Sequence, residues 1–232
     1  MIKDISFLTL EECQEVRRII YDLKRFWNQT DTYEPAYTLG VATYRHAPPN
    51  PLPLYYAKAR LFNPLLREHL GWLYDRLLMI LAEELGQPTC YREDLALPGF
   101  HIFVAHEIWK VNVLQAHVDG QFKYHHWAPE AEVHFQRPLS FTLAISLPKA
   151  GGGLDMWDLN QEECVGISKL DRLNLLATKK VTYHPYTVGK IALHIGKIYH
   201  RIGNLESMET GDERITLQGH GLLCQGTWQL YW

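Results

Sequence analysis

No C-x-x-C pair occurs in this sequence. Its four cysteines, Cys13, Cys90, Cys164 and Cys224, are scattered singly. That spacing excludes a thiolate zinc cluster and a dithiol redox motif, and predicts reduced, buried thiols. No apolar stretch approaches the roughly 20 residues that a membrane-crossing helix needs, and the opening MIKDISFLTLEECQEV places acidic residues where a secretory signal requires an unbroken apolar core. Basic runs are missing too: 23 Lys and Arg stand against 26 Asp and Glu, a formal charge of -3. The chain therefore has no electrostatic footprint for nucleic acid or for an anionic membrane. Internal repeats and low-complexity tracts are also absent. The expectation is a soluble, cytoplasmic protein whose partner is a small molecule, while nothing in the sequence fixes its oligomeric state. A length of 232 residues suits one domain with a sizeable core.

What is present divides into two stretches, a helical and loop-rich scaffold over 1–98 and a β core over 99–232. Thr9 followed by Glu12 forms a capping-box pattern, and Cys13, Val16, Ile19, Ile20 and Leu23 recur at helical spacing behind it. Residues 28–57 read as a lid-like loop, because the prolines of PPNPLPLYY remove backbone donors. A second helix is predicted from Asn63 as cap and Pro64 as first helical residue to a stop at Gly86. Its stripe of Leu66, Leu70, Leu73, Leu77, Ile80 and Leu81 is a face for packing on a sheet. From Gly99 onward come short β-type runs broken by Gly and Pro, among them LSFTLAISLP, KIALHI and RITLQGH. Such punctuation predicts a mainly β fold, a sandwich or barrel, backed by N-terminal α-helices.

The chemistry concentrates in QAHVDG, 115–120. Side chains alternate along an extended chain, so His117 and Asp119 point the same way and can meet one cation. Two histidines and one carboxylate on one face suit non-haem Fe(II) with open positions for other ligands. Of the 12 histidines, His200 in GKIYHRIGN is the candidate third ligand, with His194 in ALHIG as its competitor. Arg214 opens the following strand, and its planar fork suits a carboxylate. Thr216 lies two residues on, on the same face, and offers that carboxylate a hydroxyl.

The order His117-x-Asp119, His200, Arg214 resembles the Fe(II)- and 2-oxoglutarate-dependent dioxygenase superfamily, including its prolyl-hydroxylase-like members. GDERIT at 211–216 and LSFTLAISLPKAGGGLDMWD at 139–158 are similar to further segments of that superfamily. Across residues 99–232 the resemblance implies a double-stranded β-helix, the jelly-roll, cupin-like barrel. It implies Fe(II) on His117, Asp119 and His200, with the cosubstrate 2-oxoglutarate held at its far carboxylate by Arg214 assisted by Thr216. It implies that O2 is consumed, that succinate and CO2 are released, and that an unactivated carbon of a small metabolite such as an amino acid or natural-product intermediate is hydroxylated. Halogenating members have a small residue where Asp119 stands, so hydroxylation is expected over halogenation, while desaturation, cyclisation and epimerisation share the triad. A hydroxylase of peptidyl side chains, a zinc hydrolase and a non-redox cupin-like binding protein are the alternatives.

Other residues carry weaker expectations. Tyr33, Tyr37, Tyr44, Arg45 and His46 are the candidate substrate-recognition segment. His125, His126 and His134 are expected as solvated loop residues. His101 and His106 fall on opposite faces of a strand, so at most one faces the interior. Gln218 and His220 continue the Thr216 face, with structural and functional roles for His220 equally open. Asp155 and Trp157 alternate with Leu154 and Met156, one set facing the interior. The closing TWQLYW is expected as an edge strand whose Trp228 and Tyr231 pack on the helices.

Overall fold

The computed structural model describes residues 2–29, 35–46, 52–110, 115–127, 133–164, 166–203, 205 and 208–232. Tyr33 and most of the proline cluster before Leu52 lie outside them. In chain order the elements are β1 (Lys3–Ser6), α1 (Leu10–Asp22), β2 (Asn28–Gln29), β3 (Ala36–Leu39), α2 (Leu52–Leu85), β4 (Thr89–Tyr91), β5 (Gly99–Val104), β6 (Leu139–Ser146), β7 (Leu154–Asn160), α3 (Lys169–Thr178), β8 (Val181–His184), β9 (Lys190–Ile195), β10 (Ile198–Ile202), β11 (Glu213–Cys224) and β12 (Thr227–Tyr231).

Strand pairing produces two sheets. The larger runs β1-β9-β6-β11-β5-β3-β2, with β12 added between β11 and β4; the smaller runs β10-β7-β8. All pairs are antiparallel except β12 with β4. From β5 onward the chain crosses repeatedly between the sheets, which is the wiring of a jelly roll. Inward residues of both sheets line one cavity of about 810 Å³.

Helices α1 and α2 cover one face of the larger sheet. Thr9 caps α1 as its sequence predicts: its hydroxyl accepts from Glu12 N at 3.2 Å, and the Glu12 carboxylate accepts from Thr9 N at 2.9 Å. Cys13, Val16 and Ile20 are buried beneath it. The leucine stripe of α2 enters the same core, where Leu66, Leu70, Leu73, Leu77 and Leu81 meet Leu143, Ile191, Ile215 and Leu217 of the sheet. Truncating any one of these to alanine should cost about 2–5 kcal/mol, because the cavity left behind cannot fully collapse.

Several expectations are corrected. The second helix does not start at Asn63 but at Leu52, with Pro64 inside it and a kink at Leu70 beside Gly71. A proline costs a helix interior about 3 kcal/mol. Here the added turns bury Tyr55 and Ala59 in a second core with Val41, Leu222 and Tyr231, which offsets that cost. Asn63 is not a cap. Its side chain donates to Leu95 O at 2.8 Å and accepts from Leu97 N at 3.0 Å, fixing the approach to β5. The segment 28–57 also contains β3, paired in register with β5 from Ala36↔Phe103 to Leu39↔Phe100. Within the β core, α3 was not expected; Ser168 caps it through Asp171 N. TWQLYW is no edge strand, since β12 has a partner on each side. Trp228 joins the main core and Tyr231 the second one. All four cysteines are free thiols, with Cys13 and Cys224 buried. No helix among the described residues is long and apolar enough to cross a membrane.

Candidate metal centre

His117 lies outside any regular strand yet pairs with His200 of β10 as an isolated antiparallel bridge. Each backbone N–H donates to the other residue's carbonyl at 2.9 Å. This pairing extends the smaller sheet by one residue and sets the two rings side by side, centroids 4.6 Å apart. Asp119, two residues on, turns into the space between them. Its Oδ1 is 3.9 Å from His117 Nε2 and its Oδ2 is 3.5 Å from His200 Nε2. One ligand atom from each residue can be chosen so that all lie within 4.8 Å of one another.

The hydrogen bonds behind the ligands favour a metal. His117 Nδ1 lies 3.0 Å from Gln115 O and His200 Nδ1 lies 2.9 Å from Ile198 O. A carbonyl can only accept, so each ring carries a proton on Nδ1 and turns its Nε2 toward Asp119. Burial lowers the His200 pKa, which keeps the ring neutral and able to ligate. Burial alone would raise the Asp119 carboxyl, but the surrounding imidazoles and the Ser140 hydroxyl outweigh it and hold the group below the usual carboxylate range. An anionic oxygen and two imidazole nitrogens fit a divalent ion with open coordination positions.

The same cavity contains Arg214, 2% exposed. Its Nε donates to Gly152 O at 2.7 Å and its Nη1 to Thr216 Oγ1 at 3.1 Å. Among the described residues no carboxylate pairs with it. Burial lowers its pKa to about 10, so it remains cationic at neutral pH. A buried, unpaired guanidinium facing a cavity is costly unless an anion arrives. Thr216 accepts from the arginine, so its own hydroxyl hydrogen is free to donate to that anion. Gly152, which holds Arg214 in place, is tied by its N–H to Gly203 O at 3.0 Å. Gly203 lies three residues beyond His200, or about 10 Å of strand.

Some candidates converge here and some do not. His194 faces the cavity from β9, its ring 5.6 Å from that of His200, but it is outside the close triad. Burial pushes its pKa down to about 4. Tyr44 also lines the cavity, its hydroxyl 2.8 Å from His101 Nε2. Burial, then the Arg214 charge, push His101 down to about 3. Arg45 and His46 are not lining residues, and Tyr37 packs against Trp27 outside the cavity. Leu154 lines the cavity, while Asp155 pairs with Arg201 and Trp157 packs beneath the same guanidinium.

His125 corrects the expectation of a solvated loop. It is buried: Thr43 Oγ1 lies 2.8 Å from its Nε2 and Tyr56 Oη 3.3 Å from its Nδ1. Its neighbour His126 is exposed and His134 half-buried.

Sequence reasoning passed over Ser140, Thr142, Gln121 and Tyr186, which also line the cavity. For the first two a signal existed. In LSFTLAIS the small polar residues alternate with Phe141 and Leu143, placing Ser140 and Thr142 on the face opposite the apolar core. Gln121 and Tyr186 sit in connecting segments and carried none.

No protein-family model matches the sequence, and no curated protein matches it. Solved structures do match in fold. An N-substituted L-amino acid dioxygenase from Burkholderia ambifaria AMMD superposes with a TM-score of 0.60 at 13% identity, covering 99% of this chain and 85% of that one. SnoK, a non-heme alpha-ketoglutarate-dependent carbocyclase from nogalamycin biosynthesis, does so with a TM-score of 0.52 at 13% identity, covering 98% and 80%. HygX from Streptomyces hygroscopicus, solved with nickel and 2-oxoglutarate bound, matches with a TM-score of 0.50 at 13% identity, covering 94% and 82%. At these identities the likeness is one of fold alone, a mostly antiparallel jelly roll.

Proposed function

We propose that this chain is an Fe(II)- and 2-oxoglutarate-dependent oxygenase that hydroxylates an unactivated carbon of a small metabolite, such as an amino acid or a natural-product intermediate. The observation that carries the reading is the meeting, in one cavity, of a His117–Asp119–His200 set and a buried Arg214 that no carboxylate among the described residues pairs with. The fold shared with an amino acid dioxygenase, an alpha-ketoglutarate-dependent carbocyclase and HygX, solved with nickel and 2-oxoglutarate bound, supports it.

In this reading His117, Asp119 and His200 hold Fe(II), and Arg214 with Thr216 binds the far carboxylate of 2-oxoglutarate. When bound, the iron and its cosubstrate supply an oxidant from O2, with succinate and CO2 released. The chain's own part is placement and exclusion of water. Arg214 brings a fixed positive charge that needs no reorganisation to meet a dicarboxylate. Neutral His101 and His194 leave the cavity wall with hydrogen-bonding groups but no further charge beside the ion. Tyr44, Lys123 and Tyr124 also line the cavity and are, in this reading, substrate-facing. A volume of about 810 Å³ suits a cosubstrate together with a small molecule.

The test is anaerobic visible absorption of the purified protein as Fe(II) and then 2-oxoglutarate are added, followed by oxygen exposure and succinate detection. A metal-to-ligand charge-transfer band that requires both additions and disappears in Asp119→Ala is the expected result. A folded protein that binds zinc and hydrolyses esters, yet shows no such band, would replace this reading with a hydrolytic one.

A further inference from the structure

We infer that Ser140 and His220 are positioning residues of the metal site, holding Asp119 so that it offers the ion one oxygen and not two. This rests on the assignment of His117, Asp119 and His200 as ligands. The residues come from separate strands, Ser140 from β6 and His220 from β11, and both lie buried beneath Asp119, which is itself 6% exposed.

The hydrogen-bond chain has one consistent direction. Ser140 Oγ lies 2.7 Å from Asp119 Oδ2. An ionised carboxylate has no hydrogen to give, so the serine's single hydrogen goes to Asp119. The serine oxygen can then only accept, and His220 Nδ1, 3.3 Å away, must be the protonated nitrogen. His220 Nδ1 is 3.7 Å from Asp119 Oδ2, outside hydrogen-bond range, so it acts through the serine.

The two oxygens of Asp119 are thereby made unequal. Oδ2 carries a short, charge-assisted bond that occupies a lone pair and fixes the carboxylate plane. Oδ1 carries only a longer contact from Gln121 Nε2 at 3.3 Å, and is the oxygen left to the ion. Single-oxygen ligation matters because a carboxylate that swung to grip the ion with both oxygens would consume a position that a cosubstrate must occupy. Partners behind a metal ligand fix its orientation and typically change metal affinity 10–100-fold when removed.

The experiment uses the full chain with Co(II) as the probe, reading its affinity by competition with a chelating dye and its coordination from the visible d–d spectrum. Ser140→Ala should bind Co(II) about tenfold more weakly and show an altered spectrum, while circular dichroism and the melting temperature of the metal-free protein stay near wild type. Ser140→Thr, which keeps the hydroxyl, should restore both. His220→Ala should move affinity and spectrum in the same direction by less, and His220→Asn, whose amide N–H can stand where Nδ1–H stands, should restore them. Wild-type affinity and spectrum in Ser140→Ala would overturn the inference while leaving the ligand assignment intact. Failure of the wild type itself to bind Co(II) would overturn the ligand assignment and the inference with it.

Discussion

His117 and His200 exchange both backbone hydrogen bonds of an antiparallel bridge, each 2.9 Å long. The two imidazoles are thus brought together by main-chain pairing, which does not itself depend on an ion. Removing metal should therefore leave the fold intact. Adding Fe(II) or Co(II) at a hundred times its Kd should raise stability by about 2.7 kcal/mol. Thermal denaturation across a metal titration measures this, and a metal-free protein that is unfolded by circular dichroism would contradict it.

Arg214→Ala should abolish tight 2-oxoglutarate binding while sparing the metal. Losing one partner of a buried charge pair costs about 2 kcal/mol or more, roughly thirtyfold in affinity. Cosubstrate titration of the Fe(II) protein and Co(II) affinity, measured on one preparation, separate the two effects. Equal loss of both would mean that the substitution disturbed the fold.

Asn63→Ala should destabilise the protein by about 2 kcal/mol, because it leaves Leu95 O and Leu97 N without their partner beside the entry to β5. Urea denaturation supplies the number. An effect of only a few tenths would instead match the loss of an exposed helix cap at the lower end of its range.

Stability should fall on mild acidification. Burial holds His101 at about 3 and His125 at about 4, both below the 6.5 of an unfolded histidine. Below pH 6.5 the unfolded chain takes up protons that the native one refuses, so unfolding is favoured as pH drops toward 4. Each group contributes up to about 1.4 kcal/mol per pH unit in that window. Urea midpoints of the metal-free protein between pH 7 and 4.5 test the trend, and His125→Gln should flatten it. A midpoint that stays level or rises on acidification would show that these rings are protonated in the native state.

The helices show how far local pattern reaches. The capping box of α1 depends on residues three apart, so Thr9 and Glu12 could be read directly, as could the leucine stripe of α2 and its end at Gly86, whose φ is +65°. The start of α2 could not. Asn63–Pro64 is a good local start signal, yet Tyr55 and Ala59 bury their side chains against Leu222 and Tyr231, residues remote in sequence. His125 failed for the same reason, since its partners are Thr43 and Tyr56.

By itself the sequence determined the candidate ligand types and their order, because His117-x-Asp119, His200 and Arg214 are a matter of residue chemistry and of two-residue alternation along extended chain. It also determined that a β core would carry them. Only the tertiary structure decided that His117 pairs with His200, that Ser140 and His220 stand behind Asp119, and that Arg214 is buried beside the cavity with no carboxylate partner among the described residues. Those relations join segments that are distant along the chain, and their distances follow from sheet register and packing, which no local pattern encodes.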